Sequence, residues 1–87
     1  MSKQEILESL DQLKREVETL NVDQAADKKR LHRLVRDLER QVDAPGPIDH
    51  TGMAEQVDRT LKQLEVEYPA ITGILNGIAT TLSNYGI

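Results

Sequence analysis

Two apolar seams with helical spacing run through the first half of this chain and constrain its fold more than any other feature. The first consists of residues that recur at steps of four and three, namely Ile6, Leu10, Leu13, Val17 and Leu20. The second resumes nearly the same stripe and consists of Leu31, Leu34, Leu38 and Val42. Side chains three and four residues apart stack on one face of a helix. Each seam therefore predicts a helix that packs against another helix.

We predict a first helix over about 3–20 and a second over about 24–43. Ser2 and Glu5 form the S-x-x-E pattern of a capping box at the start of the first helix. Residues 21–23, with the sequence Asn-Val-Asp, are the expected break, because Asn and Asp compete for backbone hydrogen bonds and favour helix ends. The two helices would then form an antiparallel hairpin with a short connection.

The alternative is one unbroken helix over 3–42, since no Gly or Pro interrupts these residues. In that helix, Gln24 and Asp27 would occupy positions in the apolar seam. Two adjacent polar layers, one of them acidic, would weaken a continuous coiled coil. We therefore favour the hairpin.

A Pro/Gly linker over 44–51 separates the hairpin from the second half, because two prolines and a glycine cannot continue a helix. Asp49 or Thr51 is the expected cap of a third helix, whose apolar residues keep helical spacing: Met53, Val57, Leu61, Leu64 and Tyr68. Proline is tolerated at a first helical position and kinks an interior one. Because Pro69 falls inside it, the stretch 52–84 forms either one kinked helix or two consecutive helices.

The predicted fold class is all-α, a small helical bundle in a single domain spanning 1–87. It comprises an antiparallel helical hairpin (1–43), the linker (44–51) and a C-terminal helical segment (52–87). With 87 residues and neither Phe nor Trp, the core must be built from Leu, Ile and Val. A lone chain of this kind would be marginally stable, so we expect a homo-oligomer, with a dimer favoured.

Residue patterns that carry chemistry are few. The two histidines, His32 and His50, match no metal-binding spacing, and the chain has no cysteine. No nucleophile elbow and no glycine-rich phosphate loop occurs. We therefore expect no catalytic, metal-binding or cofactor-binding residue and no enzymatic activity. The lack of cysteine fits a reducing compartment and the polar N-terminus resembles no secretory signal, so we expect a cytoplasmic protein.

The candidate interface is the apolar seams together with the last helical stretch, which carries no charged residue from 69 to 87 although 30% of the whole chain is charged. This stretch contains a G-x-x-x-G pattern, which allows two helix backbones to approach closely, either within the chain or across a dimer. Its many polar residues argue against a membrane span. The expected interface residues are Ile71, Gly73, Ile74, Gly77, Ile78 and Leu82.

A second candidate surface is a basic stripe nearly opposite the second seam, formed by Lys29, Arg33, Arg36 and Arg40. Such a row can contact phosphates or dock on an anionic surface. However, Asp37 and Glu39 lie beside it, the net charge is −4, and no aromatic residues interleave to stack bases. We therefore expect the basic stripe to be an ordinary solvated helix face. The function that we expect for the protein is that of a non-enzymatic protein–protein interaction and assembly module, which self-associates through its apolar helix faces. Binding of nucleic acid or an anionic surface is the alternative function.

The hairpin, the linker, the passage LEVEYP (64–69) and the closing LSNYGI (82–87) together resemble the small bacterial proteins grouped as domain of unknown function 4404. In that family an acidic stretch meets a His-Pro pair and the chain ends in Gly-Ile. Here Tyr68 stands in place of the histidine. The resemblance covers nearly the whole chain and implies a bacterial, cytoplasmic, all-helical protein, with no assigned function.

Overall fold

The computed structural model describes residues 3–85, apart from the side chain of Tyr85. Within this range the chain forms helices and no strands, so the all-α prediction is confirmed. A short 3-10 turn, Val22–Gln24, precedes the second helix. The α-helices are α1 (Lys3–Val17), α2 (Ala25–Asp43), α3 (His50–Gln63) and α4 (Pro69–Tyr85).

The predicted break between the first two helices is present, and the unbroken-helix alternative is wrong. α1 ends at Val17, earlier than expected, because its last carbonyls accept from amides only three residues ahead. The Thr19 and Leu20 amides each donate over 3.1 Å in this way, which tightens the last turn into a 3-10 form. The side chain of Gln24 then accepts from the Asn21 amide at 2.9 Å and caps the 3-10 turn that leads into α2. The predicted Ser2 cap lies outside the described residues.

The second half contains two helices rather than one kinked helix. Asp49 caps α3, its carboxylate accepting from the Gly52 amide at 3.0 Å. His50, which the sequence pattern assigned to the linker, is the first residue of α3. Pro69 begins α4, the position where its missing amide and fixed φ cost nothing. Tyr68 lies in the connection between α3 and α4 and not on α3, which corrects the helical assignment made from spacing.

The four helices form a ring in which each helix packs against its neighbours along the chain and α4 closes back onto α1. The connections are short, so successive helices run antiparallel. The particle measures 38 × 19 × 16 Å. Both seams point inward, and so do the buried residues of α3 and α4; the buried set includes Leu10, Leu13, Leu34, Leu38, Met53, Val57, Leu75 and Leu82.

This core leaves little apolar surface uncovered. Among the described residues, the large hydrophobic side chains that remain exposed are Val22 (89%) and Val66 (53%). Both lie in connections between helices. One chain therefore covers its own seams. A core that lacks Phe and Trp does not by itself indicate that a second copy is needed.

Candidate functional site

The most unusual site in the bundle is a buried carboxylate near the start of α2. Asp27 is 2% exposed and occupies a position in the apolar seam. Both of its oxygens accept from the Glu65 amide, at 3.0 and 3.1 Å, and one also accepts from the Tyr68 hydroxyl at 2.6 Å. The Arg30 guanidinium donates to it at 2.8 Å. A single side chain thus joins α2 to the connection between α3 and α4.

The hydrogen bonds outweigh the cost of burying this charge. Burial opposes ionisation of Asp27, but donation from Tyr68, from the Glu65 amide and from Arg30 holds the pKa of the carboxyl below its ordinary value. The hydrogen bond between Asp27 and Tyr68 has the opposite effect on the pKa of Tyr68. Burial, with the hydrogen bond to Asp27 and its negative charge, raises the pKa of Tyr68 to about 12. At physiological pH, Asp27 is therefore a carboxylate and Tyr68 a neutral phenol. We name the Asp27 carboxylate together with its donors, Tyr68, the Glu65 amide and Arg30, the polar junction.

Sequence reasoning noticed Asp27 only as an argument against a continuous coiled coil. The signal that could have found the junction was an acid within an apolar seam, because a buried carboxylate requires donors nearby. Arg30 lies three residues away on the same helix, but the other two donors lie 38 and 41 residues further along the chain. Tyr68 was assigned to a helix face, and a backbone amide carries no sequence signal at all.

The six predicted interface residues divide into two groups. Ile71, Ile78 and Leu82 are at most 2% exposed and belong to the core of the single chain. They face inward because they share the buried stripe of α4 with Leu75. They are therefore not available to a partner in this fold.

Gly73 and Gly77 lie on the opposite side of α4 and are exposed, while Ile74 is half-buried between the two sides. A Cβ added at either glycine would meet nothing within 4 Å. The glycines therefore do not serve close packing within the chain, which was one of the two uses the pattern allowed. We define the outer face of α4 as the exposed, uncharged residues Ala70, Gly73, Gly77, Thr80 and Asn84.

All four residues of the basic stripe are exposed on α2. Arg40 forms an ion pair with Asp37 at 3.4 Å. Lys29, Arg33 and Arg36 have no carboxylate within ion-pair distance among residues 3–85. The stripe thus keeps most of its charge uncompensated.

The two histidines lie in different parts of the bundle. His32 contacts the Glu18 carboxylate at 2.9 Å across the α1–α2 hairpin. His50 lies at the start of α3, in another part of the bundle. Over the described residues, no group of three His, Cys, Asp or Glu side chains is arranged to hold a metal ion. No helix in the same range has the length and apolarity needed to cross a membrane.

Fold and site together define a small four-helix bundle with one buried carboxylate that joins two of its segments. The family model for the domain of unknown function DUF4404 matches residues 6–87, and the chain belongs to this family. The resemblance noted from the sequence is therefore confirmed. No curated protein and no solved structure matches the chain.

Proposed function

We propose that this protein is a non-enzymatic assembly module that self-associates, as a homodimer, through the outer face of α4. The observation that carries the proposal is the character of that face. It is exposed and uncharged in a chain of which 30% is charged, and its two glycines leave open space where side chains would otherwise stand. The resemblance and the lack of cysteine further support a bacterial, cytoplasmic setting.

A second copy of this chain is the occupant that suits such a face. In a two-fold pair the same surface meets itself, so a charge near the symmetry axis would lie close to its own copy and be repelled. The outer face carries none, and Gly73 and Gly77 would allow two α4 backbones to approach closely. Thr80 and Asn84 would supply hydrogen bonds at the same surface.

Substitutions at the two glycines test this proposal without disturbing the monomer. Because an added Cβ meets nothing within 4 Å, Gly73→Leu and Gly77→Glu should leave the single-chain fold intact. Leu would hold the two helices apart, and Glu would place two carboxylates together at the symmetry axis. We expect the wild type to have twice the chain mass of 9.8 kDa and both variants to have the mass of one chain.

Light scattering after size-exclusion chromatography measures these masses, and circular dichroism confirms that each variant remains helical. Gln12→Leu is the matched control, because it adds an apolar side chain at an exposed position of α1 and should not change the mass. A wild type of single-chain mass across the concentration range would refute the proposal. So would variants that keep the mass of the wild type.

A second candidate function is binding of nucleic acid or an anionic surface by the basic stripe. The exposure of its cations, three of which have no carboxylate partner in the described chain, favours it. Such binding would weaken steeply with added salt, since each contacted phosphate releases counterions. A gel-shift assay at low salt that detects no complex with duplex or single-stranded nucleic acid, together with no retention on anionic vesicles, would exclude it.

A further inference from the structure

A groove of about 220 Å³ lies between α2 and α3. At one end, the side chain of Gln56 joins the two helices. It accepts from the side-chain amide of Gln41 at 2.9 Å and donates to the Asp37 carboxylate at 3.3 Å. Beyond the other end, Asp27 accepts from the Glu65 amide. The groove therefore lies between two cross-links, one that joins α2 to α3 and one that joins α2 to the α3–α4 connection.

Arginines from both helices line this groove. Arg30 and Arg33 come from α2, and Arg59 comes from α3. Arg33 and Arg59 have no carboxylate within ion-pair distance in residues 3–85, although the whole chain has a net charge of −4. Like charges that face one groove repel, and the carboxylate that lines the groove, that of Asp37, pairs with Arg40 and with neither Arg33 nor Arg59. An external anion would remove this repulsion.

Two further features of the groove favour the binding of an anion. The orientation of the Arg30 guanidinium is already set before a ligand arrives, because its Nη1 donates to the buried Asp27 at 2.8 Å and lies 3.8 Å from the Glu65 carboxylate. The carboxylate that lines the groove, that of Asp37, is occupied by Arg40 at 3.4 Å and by Gln56. Its negative charge is therefore largely compensated by the protein itself.

We infer that the groove between α2 and α3 binds the phosphate group of a small phosphorylated molecule, held by Arg33 and Arg59 with support from Arg30. Guanidinium groups form paired hydrogen bonds with phosphate oxygens, and forks from two helices can grip one phosphate from two sides. Gln63, which also lines the groove, offers a neutral donor. The groove has a volume of about 220 Å³ and is open to solvent on one side, so it can admit the phosphate and the adjoining part of its carrier.

This proposal differs from binding by the basic stripe in the residues that it requires. The stripe includes Arg36 and does not include Arg59, whereas the groove includes Arg59 and not Arg36. It is also independent of assembly, since α4 does not line the groove. The two exposed arginines therefore provide a matched pair of variants with the same change in charge.

Isotopically labelled protein would be titrated with inorganic phosphate, and separately with glycerol phosphate, at constant ionic strength, while NMR follows the arginine Nε–Hε signals. We expect saturable shifts at Arg33 and Arg59. Arg59→Gln and Arg33→Gln should each weaken binding at least about tenfold, because each removes a charge-assisted bond to the anion. Arg36→Gln should change the affinity less than about twofold.

Tighter binding of glycerol phosphate than of inorganic phosphate would support a ligand whose carrier also contacts the groove, and equal affinities would support recognition of the phosphate alone. Shifts that stay linear and unsaturated would overturn the site. Equal loss on Arg36→Gln and Arg59→Gln would also overturn it, because diffuse charge would then account for the effect. So would binding that occurs only with a long polyanion.

Discussion

Removal of one hydroxyl from the polar junction tests how this bundle is held together. Tyr68→Phe keeps the aromatic ring in place and deletes only the group that donates to Asp27 at 2.6 Å. The Glu65 amide and Arg30 still donate to the carboxylate, so the charge is not left without partners. The change therefore isolates one bond between α2 and the α3–α4 connection.

The expected loss of stability is about 2 kcal/mol. Hydrogen bonds to a charged group contribute about 1.5–3 kcal/mol, and this one is buried, since Tyr68 is 8% exposed and Asp27 is 2% exposed. For a chain of this size each kcal/mol moves the melting temperature by about 4–8 °C. Tyr68→Phe should therefore melt about 8–16 °C below the wild type.

Urea unfolding followed by circular dichroism measures the difference, and a double-mutant cycle with Asp27→Asn assigns it to the pair. The cycle should give a coupling free energy of about 1–2 kcal/mol. Asp58→Asn is the matched control, because it removes an exposed carboxylate that pairs with Lys62 at 3.0 Å and should cost less than about 0.5 kcal/mol. A Tyr68→Phe protein as stable as the wild type, or a coupling near zero, would refute the account of the polar junction.

Four further outcomes follow from the same contacts. The pKa of Tyr68 rises from 10.0 to about 12 on folding, so about 3 kcal/mol of stability present below pH 10 should disappear between pH 10 and 12, and urea titrations should find this slope absent in Tyr68→Phe. The pKa of Asp27 is lowered from 3.8, so its contribution is present above that pH and is lost as the pH falls through the folded value; Asp27→Asn should flatten the acid limb of the same titration. Gly52→Ala should not stabilise α3 in thermal unfolding despite the better helix former, because the new Cβ would displace the capping carboxylate of Asp49. Gly46→Ala should lower the free energy of unfolding in urea by about 1 kcal/mol, because Gly46 has a φ of +94°.

The sequence predicted the helices well because their signals are local. The spacing of the seams identified α1 and α2, and the prolines and Asp49 identified the linker and the start of α3. The predicted bounds differ from those in the structure at the helix ends, because single hydrogen bonds determine where a helix stops. α1 ends at Val17 because the amides of Thr19 and Leu20 donate to carbonyls only three residues back. The helical spacing of the apolar residues does not reveal this.

The candidate sites were harder to predict because they depend on how helices face one another. Ile71 and Ile78 could have lain in a core or an interface, and only the ring arrangement of the helices assigns them to the core. Arg59 shows no basic pattern in the sequence, since it shares α3 only with Lys62 and lies far along the chain from the basic stripe. Its relation to Arg33 exists only after α2 and α3 pack side by side.

Asp27 explains why a chain with so uniform a core adopts one arrangement. Leu, Ile and Val side chains on neighbouring helices can slide past one another by a turn at modest cost, because one branched aliphatic contact replaces another. Asp27 cannot slide in this way, since a shift of α2 would leave its carboxylate buried without the Tyr68 hydroxyl and the Glu65 amide. The shifted carboxylate would keep only Arg30, which moves with it on α2. The loss of two buried hydrogen bonds to a charged group costs several kcal/mol, which is a large share of the stability of a small domain. The residue that argues against a long coiled coil therefore also selects the register of α2 against the α3–α4 connection, and the coupling free energy of the Tyr68–Asp27 cycle measures how strongly.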